Sequence, residues 1–469
     1  MRETKGLEQA GPRRARQSRT GQTVRRRDAF CVGAAPPRAQ PAAMTARAPD
    51  PTGCTRRELL AALAAGWLAP ALDAADAPPT PPASPMNDAP DLHNLHPLLA
   101  GLAGAHPPRL SFLDPRWSDL ATWQAAARPA LLERLGAPPP PARVGAELLR
   151  REAREGFSVE VLRLRAEPMP PIPAWVLVPD GPPRRRPAVL ALHCHSGRYT
   201  WGHEKLLSHP GEPEHLTRFR EGTYGRPWAE ALARRGYVVI VIDALYFGER
   251  RLRVEELPAD RVQPEVREAH AAARAAAPGA PAWTTAVDRL ASFYEHLTAK
   301  AITATGFTWP GLLAWDDLRA VDHLVSRPDV DPARIGCLGL SGGGFRTALA
   351  IGCDPRIRAA CVTGWMTEFG RQLPRHLRHT WMVYVPGLRR DLDLPDVAAL
   401  HAPGALLVQQ CRRDHLFPAE GMEGAVATLA AAYAKAGVPE RFRGSFHDLP
   451  HSFPPALQEE AFAWLDRWL

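Results

Sequence analysis

Residues 334–352 read RIGCLGLSGGGFRTALAIG, and they place one serine, Ser341, among glycines between an apolar stretch and an alanine-rich one. The apolar stretch predicts a buried strand, and the residues from Gly342 onwards predict a helix. Glycines around the serine permit a sharp strand-to-helix turn that would display its hydroxyl. We therefore predict that Ser341 is a nucleophile and that the backbone N–H of Gly342 binds an oxyanion. A plain glycine-rich loop is the alternative.

Strand and helix patterns alternate over most of the chain around this turn. Residues 187–193 (PAVLALH) and 237–243 (YVVIVID) are continuous apolar runs, which are typical of parallel strands buried on both faces. Residues 157–165 and 172–179 predict an antiparallel pair. Further strands are predicted at RIGCLGL, RAACVTG, GALLVQQC and RFRGSF, and helices at 227–235, 312–326, 342–351, 421–436 and 457–469. The alternation predicts an α/β fold, with a doubly wound, mostly parallel sheet.

Two long stretches interrupt the alternation, and each follows a predicted strand. Residues 249–310 are helix-rich, and residues 364–400 are rich in Trp, Met, Tyr and Arg. Insertions at the carboxyl ends of parallel strands commonly build substrate pockets, so we predict that these form a lid. The Trp and Met side chains of residues 365–382 line either a substrate site or the core of the lid.

A serine nucleophile needs a base and an orienting acid, expected in the chain order Ser, Asp or Glu, His. Asp414 ends the strand in LLVQQCRRD, and His451 lies in the loop before the last predicted helix. We predict that Ser341, Asp414 and His451 form a catalytic triad. A turn-forming aspartate and a surface histidine are the structural alternatives. Competing candidates are His447 and Asp448 beside His451, and Glu368 after the preceding strand.

The second oxyanion donor is expected in LALHCHSGRYTWGHEK, directly after a predicted central strand. We assign it to the backbone N–H of His195, with His193 as a structural hydrogen-bonding residue. Together with His203 these histidines also suggest a metal site, but no carboxylate has ligand spacing with them. We predict no metal and no cofactor. Asp243 and Glu249 are expected to shape the floor of the pocket.

The positive charge of the chain is confined to its beginning. Residues 1–57 contain 13 Lys and Arg against 4 Asp and Glu, a net charge of +9. The remainder contains 45 against 46, a net charge of −1. A nucleic-acid partner is therefore not predicted. Five of the seven cysteines follow the leader without CxxC spacing, so neither a disulfide scaffold nor a structural zinc site is expected, although a Cys353–Cys361 bridge stays open.

Residues 54–77 have the order of an export signal. Arg56 and Arg57 precede an apolar run over residues 59–72, and an alanine-rich stretch follows. This order predicts a secretory signal, and the adjacent arginines indicate the twin-arginine kind. A surface helix is the alternative. The run is short and Pro70 interrupts it, so we expect no stable membrane insertion.

These features divide the chain into three parts. Residues 1–77 are predicted to be a disordered leader with a signal peptide, and residues 78–91 a proline-rich linker. Residues 92–469 are predicted to be the catalytic domain, beginning with a helical extension over residues 92–150. We expect a periplasmic or secreted protein.

The stretches VDPARIGCLGLSGGGFRT, TWMVYVPGLRRDLDLPDVAAL, LLVQQCRRDHLFP and PHSFPPALQEEAFAWLDRWL resemble α/β-hydrolases of the dienelactone-hydrolase-like and acetyl-xylan-esterase-like branch. The resemblance covers roughly residues 105–469. It implies an esterase that acts on small acyl groups, on a small-molecule or carbohydrate ester, without a cofactor. HCHSG stands where relatives often have a more glycine-rich loop. A serine peptidase of the prolyl-oligopeptidase kind and an inactive hydrolase-like binding protein are the alternatives.

Overall fold

One mixed sheet of nine strands runs through the described part of the chain, residues 90–141 and 143–469 of the computed structural model. The predicted leader and nearly all of the predicted linker lie outside these residues. The strands are β1 (Gly145–Arg154), β2 (Phe157–Ala166), β3 (Met169–Pro179), β4 (Arg186–Leu192), β5 (Val238–Ile242), β6 (Val330–Leu340), β7 (Ile357–Thr363), β8 (Ala405–Cys411) and β9 (Phe442–His447).

The strand order is β1-β2-β3-β5-β4-β6-β7-β8-β9. The pairs β1–β2, β2–β3 and β3–β5 are antiparallel, and every other neighbouring pair is parallel. The mostly parallel sheet predicted from the sequence is confirmed, as is the antiparallel pairing of the segments that became β2 and β3.

Helices cover both faces of the sheet, as expected for a doubly wound fold. Alternate residues of β4 point to opposite faces: Leu190 joins a core cluster with Trp315 and Phe345, and Val189 joins another with Trp228. The helices are α1 (His96–Ala105), α2 (Leu120–Leu135), α3 (Glu214–Tyr224), α4 (Trp228–Arg234), α5 (Arg267–Ala275), α6 (Pro281–Ala304), α7 (Trp309–Ser326), α8 (Gly342–Cys353), α9 (Phe369–Gln372), α10 (Leu394–Ala399), α11 (Ala419–Lys435) and α12 (Pro455–Trp468).

The strand order reverses direction at β4. From β4 the chain passes to β5 on one side and then returns to β6 on the other. Leu192 of β4 is aligned with Gly339 of β6, so the loops that follow the two strands begin side by side. Ligands of open α/β sheets bind at the carboxyl ends of the strands at such a reversal. Ser341 and His195 therefore both lie where this topology favours a site.

Strand β1 differs from the expectation of a helical extension over residues 92–150. Its sequence, GAELLRREAR, is rich in residues with high helix propensity, and most of its side chains are exposed. β1 nevertheless pairs with β2 along its whole length, at the edge of the sheet. Pairing with β2 therefore outweighs the helix propensity of these residues. An edge strand with two exposed faces carries no alternating apolar pattern, so no strand was predicted here.

The first insertion has the helix-rich character that the sequence predicts, whereas the helices of the second are short. Residues 249–310 contain α5 and α6, and residues 364–400 contain α9 and α10. Among the described residues, no helix is both long and apolar enough to cross a bilayer. The five cysteines of the described chain are buried free thiols, so Cys353 and Cys361 are not bridged.

Candidate active site

Ser341 lies at the turn between β6 and α8 in a strained backbone conformation, with φ 60° and ψ −124°. Positive φ is uncommon for a residue with a side chain and costs energy, so the surrounding structure must hold it. The backbone N–H of Ser341 donates to the carbonyl of Thr363 at the end of β7, at 2.9 Å. The sharp strand-to-helix turn expected around this serine is present.

Glycines are required here because backbones approach closely. A Cβ atom on Gly339 would lie 2.7 Å from the carbonyl oxygen of Leu192, a distance that real Cβ atoms do not show. A Cβ atom on Gly342 would lie 3.2 Å from the backbone nitrogen of His195. The two residues whose N–H groups are predicted to bind an oxyanion therefore face each other across the ends of β4 and β6.

Asp414 and His451 meet beside this turn. Asp414 follows β8, and its side chain is fully buried. His451 Nδ1 lies 2.5 Å from Asp414 Oδ2. The other carboxylate oxygen of Asp414 accepts the backbone N–H of Leu416 at 2.9 Å. The loops after β8 and β9 thus bring together a carboxylate and an imidazole that are 37 positions apart in sequence.

The imidazole of His451 packs close to the residues that hold Ser341. Gly364 directly follows Thr363, and a Cβ atom on it would lie 3.3 Å from the His451 ring. His451 Nε2 is buried and has no hydrogen-bond partner among the described residues. The hydrogen bond from Ser341 Oγ to this nitrogen is not formed, and catalytic hydrogen bonds often tighten only when substrate binds.

The side chains of the residues that compete for the roles of base and acid have other partners. His447 Nε2 lies 3.0 Å from Ser445 Oγ and 3.1 Å from a carboxylate oxygen of Glu460. Asp448 forms an exposed ion pair with Arg413 at 3.0 Å. Glu368 packs against Gly424 of helix α11, and burial raises its pKa. Of the two acids weighed from the sequence, the structure brings Asp414 to His451.

The three histidines after β4 have separate partners. His193 Nδ1 lies 3.0 Å from the Cys194 carbonyl, and its Nε2 accepts the Ala244 N–H at 3.3 Å. Burial, together with the charges of Lys205 and Arg346, holds the pKa of His193 well below its usual range. The ring is therefore neutral at pH 7, which suits the structural role expected for it.

His203 lies with two carboxylates that the sequence spacing did not predict. His203, Glu204 and Asp243 place potential ligand atoms within 4.8 Å of one another. One oxygen of Asp243 accepts the backbone N–H of His203 at 2.7 Å, and the other accepts that of Glu249 at 2.8 Å. This carboxylate therefore holds the loops after β4 and β5 together, and Asp243 is not among the residues that line the cavity beside Gly342 and His195.

Helix α6 contributes two buried carboxylates that sequence reasoning missed. Glu295 Oε1 lies 2.9 Å from His195 Nε2 and accepts the hydroxyls of Tyr199 and Thr380, each at 2.8 Å. Asp288 accepts the backbone N–H groups of Tyr199 and Thr200. The sequence does contain a signal for these two acids. Asp288 and Glu295 lie seven residues apart on the apolar side of an amphipathic helix, where carboxylates need buried partners.

Lys205 was also not singled out from the sequence. Its side chain is completely buried, and its Nζ donates to the carbonyls of Cys194 and His195 at 2.8 and 3.0 Å. Burial lowers the pKa of Lys205 to about 8. A lone lysine in a polar loop gives no signal of burial, because lysine is ordinarily exposed.

A small cavity of ≈ 20 Å³ adjoins Gly342 and His195. This volume accommodates roughly one water-sized group. Its lining is mainly apolar. The apolar side chains that line it are Ala244, Phe247, Leu313, Phe345, Met382 and Val383.

Comparison with known proteins supports the fold. No family model matches the chain. "Putative hydrolase YtaP" from Bacillus subtilis (strain 168) is 28% identical over 354 residues, which is 74% of this chain and 100% of that protein. The solved structure of a "putative acetyl xylan esterase" from Bacteroides fragilis has a TM-score of 0.57 at 17% identity, covering 75% of this chain and 81% of that one. A glucuronoyl esterase from Solibacter usitatus has a TM-score of 0.53 at 16% identity, covering 77% and 97%.

With the sheet described above, these similarities identify an α/β-hydrolase fold. The resemblance to acetyl-xylan-esterase-like α/β-hydrolases is confirmed at the level of the fold.

Proposed function

We propose that this protein is a serine esterase that hydrolyses short-chain carboxylic esters, with acetylated carbohydrate as its substrate class. The observation that carries the proposal is a strained serine turn beside a buried Asp–His pair. Ser341 has a positive φ, and Asp414 lies 2.5 Å from the His451 ring. The names of the structural neighbours, an acetyl xylan esterase and a glucuronoyl esterase, favour ester hydrolysis.

In the proposed reaction, Ser341 Oγ attacks the ester carbonyl while His451 Nε2 accepts the hydroxyl proton. Nε2 has no hydrogen-bond partner within the described part of the chain and is therefore able to act as this base. Asp414 holds the tautomer with the proton on Nδ1 and stabilises the imidazolium. The N–H groups of Gly342 and His195 bind the negative oxygen of the tetrahedral intermediate.

The intermediate then collapses, and His451 donates its proton to the departing alcohol. Water enters, gives a proton to the same imidazole and attacks the acyl group on Ser341. The second tetrahedral intermediate collapses, the bond to Ser341 Oγ breaks, and His451 returns its proton to that oxygen as the carboxylic acid leaves.

The cavity beside the proposed oxyanion donors supports a small acyl group. Its volume of ≈ 20 Å³ suits the methyl of an acetyl group, whereas a long acyl chain would require its lining to move. Aryl acetate should therefore be cleaved with a higher kcat/KM than aryl hexanoate.

A covalent probe tests the nucleophile. We expect a fluorophosphonate to label the wild type and Ser341→Ala to abolish both labelling and aryl acetate hydrolysis. Ser326→Ala is the control, because this hydroxyl bonds the carbonyl of His323 at the end of α7. Label retained in Ser341→Ala would remove the nucleophile assignment, and a wild type that neither labels nor hydrolyses would favour the binding-protein alternative. Acetylated xylan and a peptide amide, assayed in parallel, separate an esterase from a peptidase.

A further inference from the structure

Lys205 is a buried cation whose hydrogen-bond acceptors are uncharged carbonyl oxygens. Its Nζ donates to the carbonyl oxygens of Cys194 and His195, and it lies 4.5 Å from the centre of the Phe247 ring. Lys205 has no salt bridge within residues 90–141 and 143–469. Nearby carboxylates favour the charged form of Lys205, but burial outweighs them and lowers its pKa to about 8, so this ammonium is not a source of stability. Stability alone therefore does not account for this lysine.

The carbonyl of Cys194 and the N–H of His195 belong to the same peptide group. This peptide is not among the cis bonds of the described residues, so its C=O and N–H point in opposite directions. Lys205 Nζ and His193 Nδ1 both contact the oxygen on one side, and the nitrogen on the other side faces Gly342. Fixing the oxygen therefore fixes the direction of the N–H that is the proposed oxyanion donor.

The loop around this peptide needs an external constraint. Ser196 and Gly197, which follow His195, have φ values of 53° and 62°. Consecutive left-handed residues are strained when one carries a side chain, and they persist only where other contacts hold them. Lys205 supplies such a contact to the carbonyls on both sides of the His195 Cα atom.

We propose that Lys205 is a positioning residue for the oxyanion hole. Its ammonium aligns the Cys194–His195 peptide so that the His195 N–H points at the developing oxyanion, and its charge polarises that peptide. A donor held in place before the reaction needs no reorganisation when the negative charge forms, which is the source of its effect on rate. This inference rests on the proposed function, since it concerns the same oxyanion.

The test compares Lys205→Met with Arg220→Met. Arg220 is the control because it is also a buried cation that donates to loop carbonyls, those of Glu204 and Leu207 at 2.8 Å. Unlike Lys205 it also pairs with Glu212, and it contacts no atom of the Cys194–His195 peptide in the hydrogen bonds described. For each variant we would measure kcat and KM on aryl acetate, the unfolding temperature, and inhibition by a trifluoromethyl ketone, which forms a tetrahedral oxyanion on the serine. The corresponding Gln variants replace any Met variant that does not fold.

We expect Lys205→Met to lose about 10- to 100-fold in kcat, with KM changed less than about threefold, because a misaligned donor costs less than the removal of a whole donor. Inhibition by the trifluoromethyl ketone should weaken in parallel with kcat/KM. Arg220→Met should lower the unfolding temperature with kcat within about twofold of the wild type.

A kcat of Lys205→Met close to that of the wild type would overturn the inference. An equal loss of kcat in Arg220→Met would also overturn it, because the effect would then be a general one of loop stability. A wild type without esterase activity would instead refute the proposed function, so the two failures are distinguishable.

Discussion

In the proposed mechanism, the side chain of Asp414 prepares the imidazole of His451 for catalysis. It has no solvent exposure, and its two oxygens contact His451 Nδ1 and the Leu416 N–H. A carboxylate held in this way favours the tautomer in which Nε2 is the free acceptor. Glu368 has a different setting, since it is half-buried, packs against Gly424 and lies 3.6 Å from Arg371.

We predict that Asp414→Asn loses about 10²–10⁴ in kcat with its fold intact, because the amide no longer stabilises the imidazolium. Glu368→Gln is the matched control and should change mainly KM, or nothing. Steady-state kinetics of both variants on one aryl acetate check this. A larger kcat loss in Glu368→Gln would move the orienting acid to the segment after β7.

Helix α6 is the element that joins the candidate site to both insertions. It lies in the first insertion, and its Glu295 binds His195 of the loop after β4 as well as Thr380 of the second insertion. Burial raises the pKa of Glu295, but hydrogen bonds from His195, Thr380 and Tyr199 outweigh it and lower the pKa overall. The ionised carboxylate is therefore the form that holds these elements together.

We predict that Glu295→Gln destabilises the protein by about 1–3 kcal/mol at pH 7, because the amide cannot accept all of these hydrogen bonds. A pKa lowered by folding contributes stability above the usual value of 4.5, which is lost as the pH falls through the folded-state pKa. The difference in unfolding free energy between variant and wild type should therefore shrink below pH 4.5.

Denaturant unfolding at pH 7 and at pH 3.5 measures this difference. Glu268→Gln, an exposed position on α5, is the control and should leave the unfolding free energy nearly unchanged at both values. A difference for Glu295→Gln that grows on acidification would contradict the assignment.

At the scale of the whole molecule, charge is distributed unevenly along the chain. The excess of positive charge lies in residues 1–57, whereas the remainder is nearly neutral. The candidate site lies at the strand-order reversal of the sheet, and the long insertions follow β5 and β7. The predicted export signal lies outside the described residues and stays a prediction.

We predict that replacing both Arg56 and Arg57 by Lys retains the precursor in the cytoplasm, because twin-arginine export depends on the arginine pair. Cell fractionation and the size of the product by immunoblot measure the outcome. Replacement of Arg13 and Arg14 by Lys is the control, since this pair precedes no apolar run, and export should continue. Normal processing of the Arg56/Arg57 variant would leave a general secretory route instead.

Much of the fold was predictable because its signals are local. Continuous apolar runs identified the central strands, and the glycines around Ser341 identified the turn that follows β6. Strand β1 was not predictable, because an exposed edge strand has no periodic pattern and its stability comes from pairing with β2.

The sequence alone determined the order of strands β2 to β9, the serine turn, and the residue types of the candidate triad with their positions after strands. Only the tertiary structure decided that Asp414 rather than Glu368 meets His451, and that Lys205 and Glu295 are buried beside the loop of His195. The physical reason is the separation in sequence of the residues that interact. Periodicity and turn chemistry act between neighbours in the chain, whereas a hydrogen bond between residues 37 or 100 positions apart exists only after the sheet has brought their loops together.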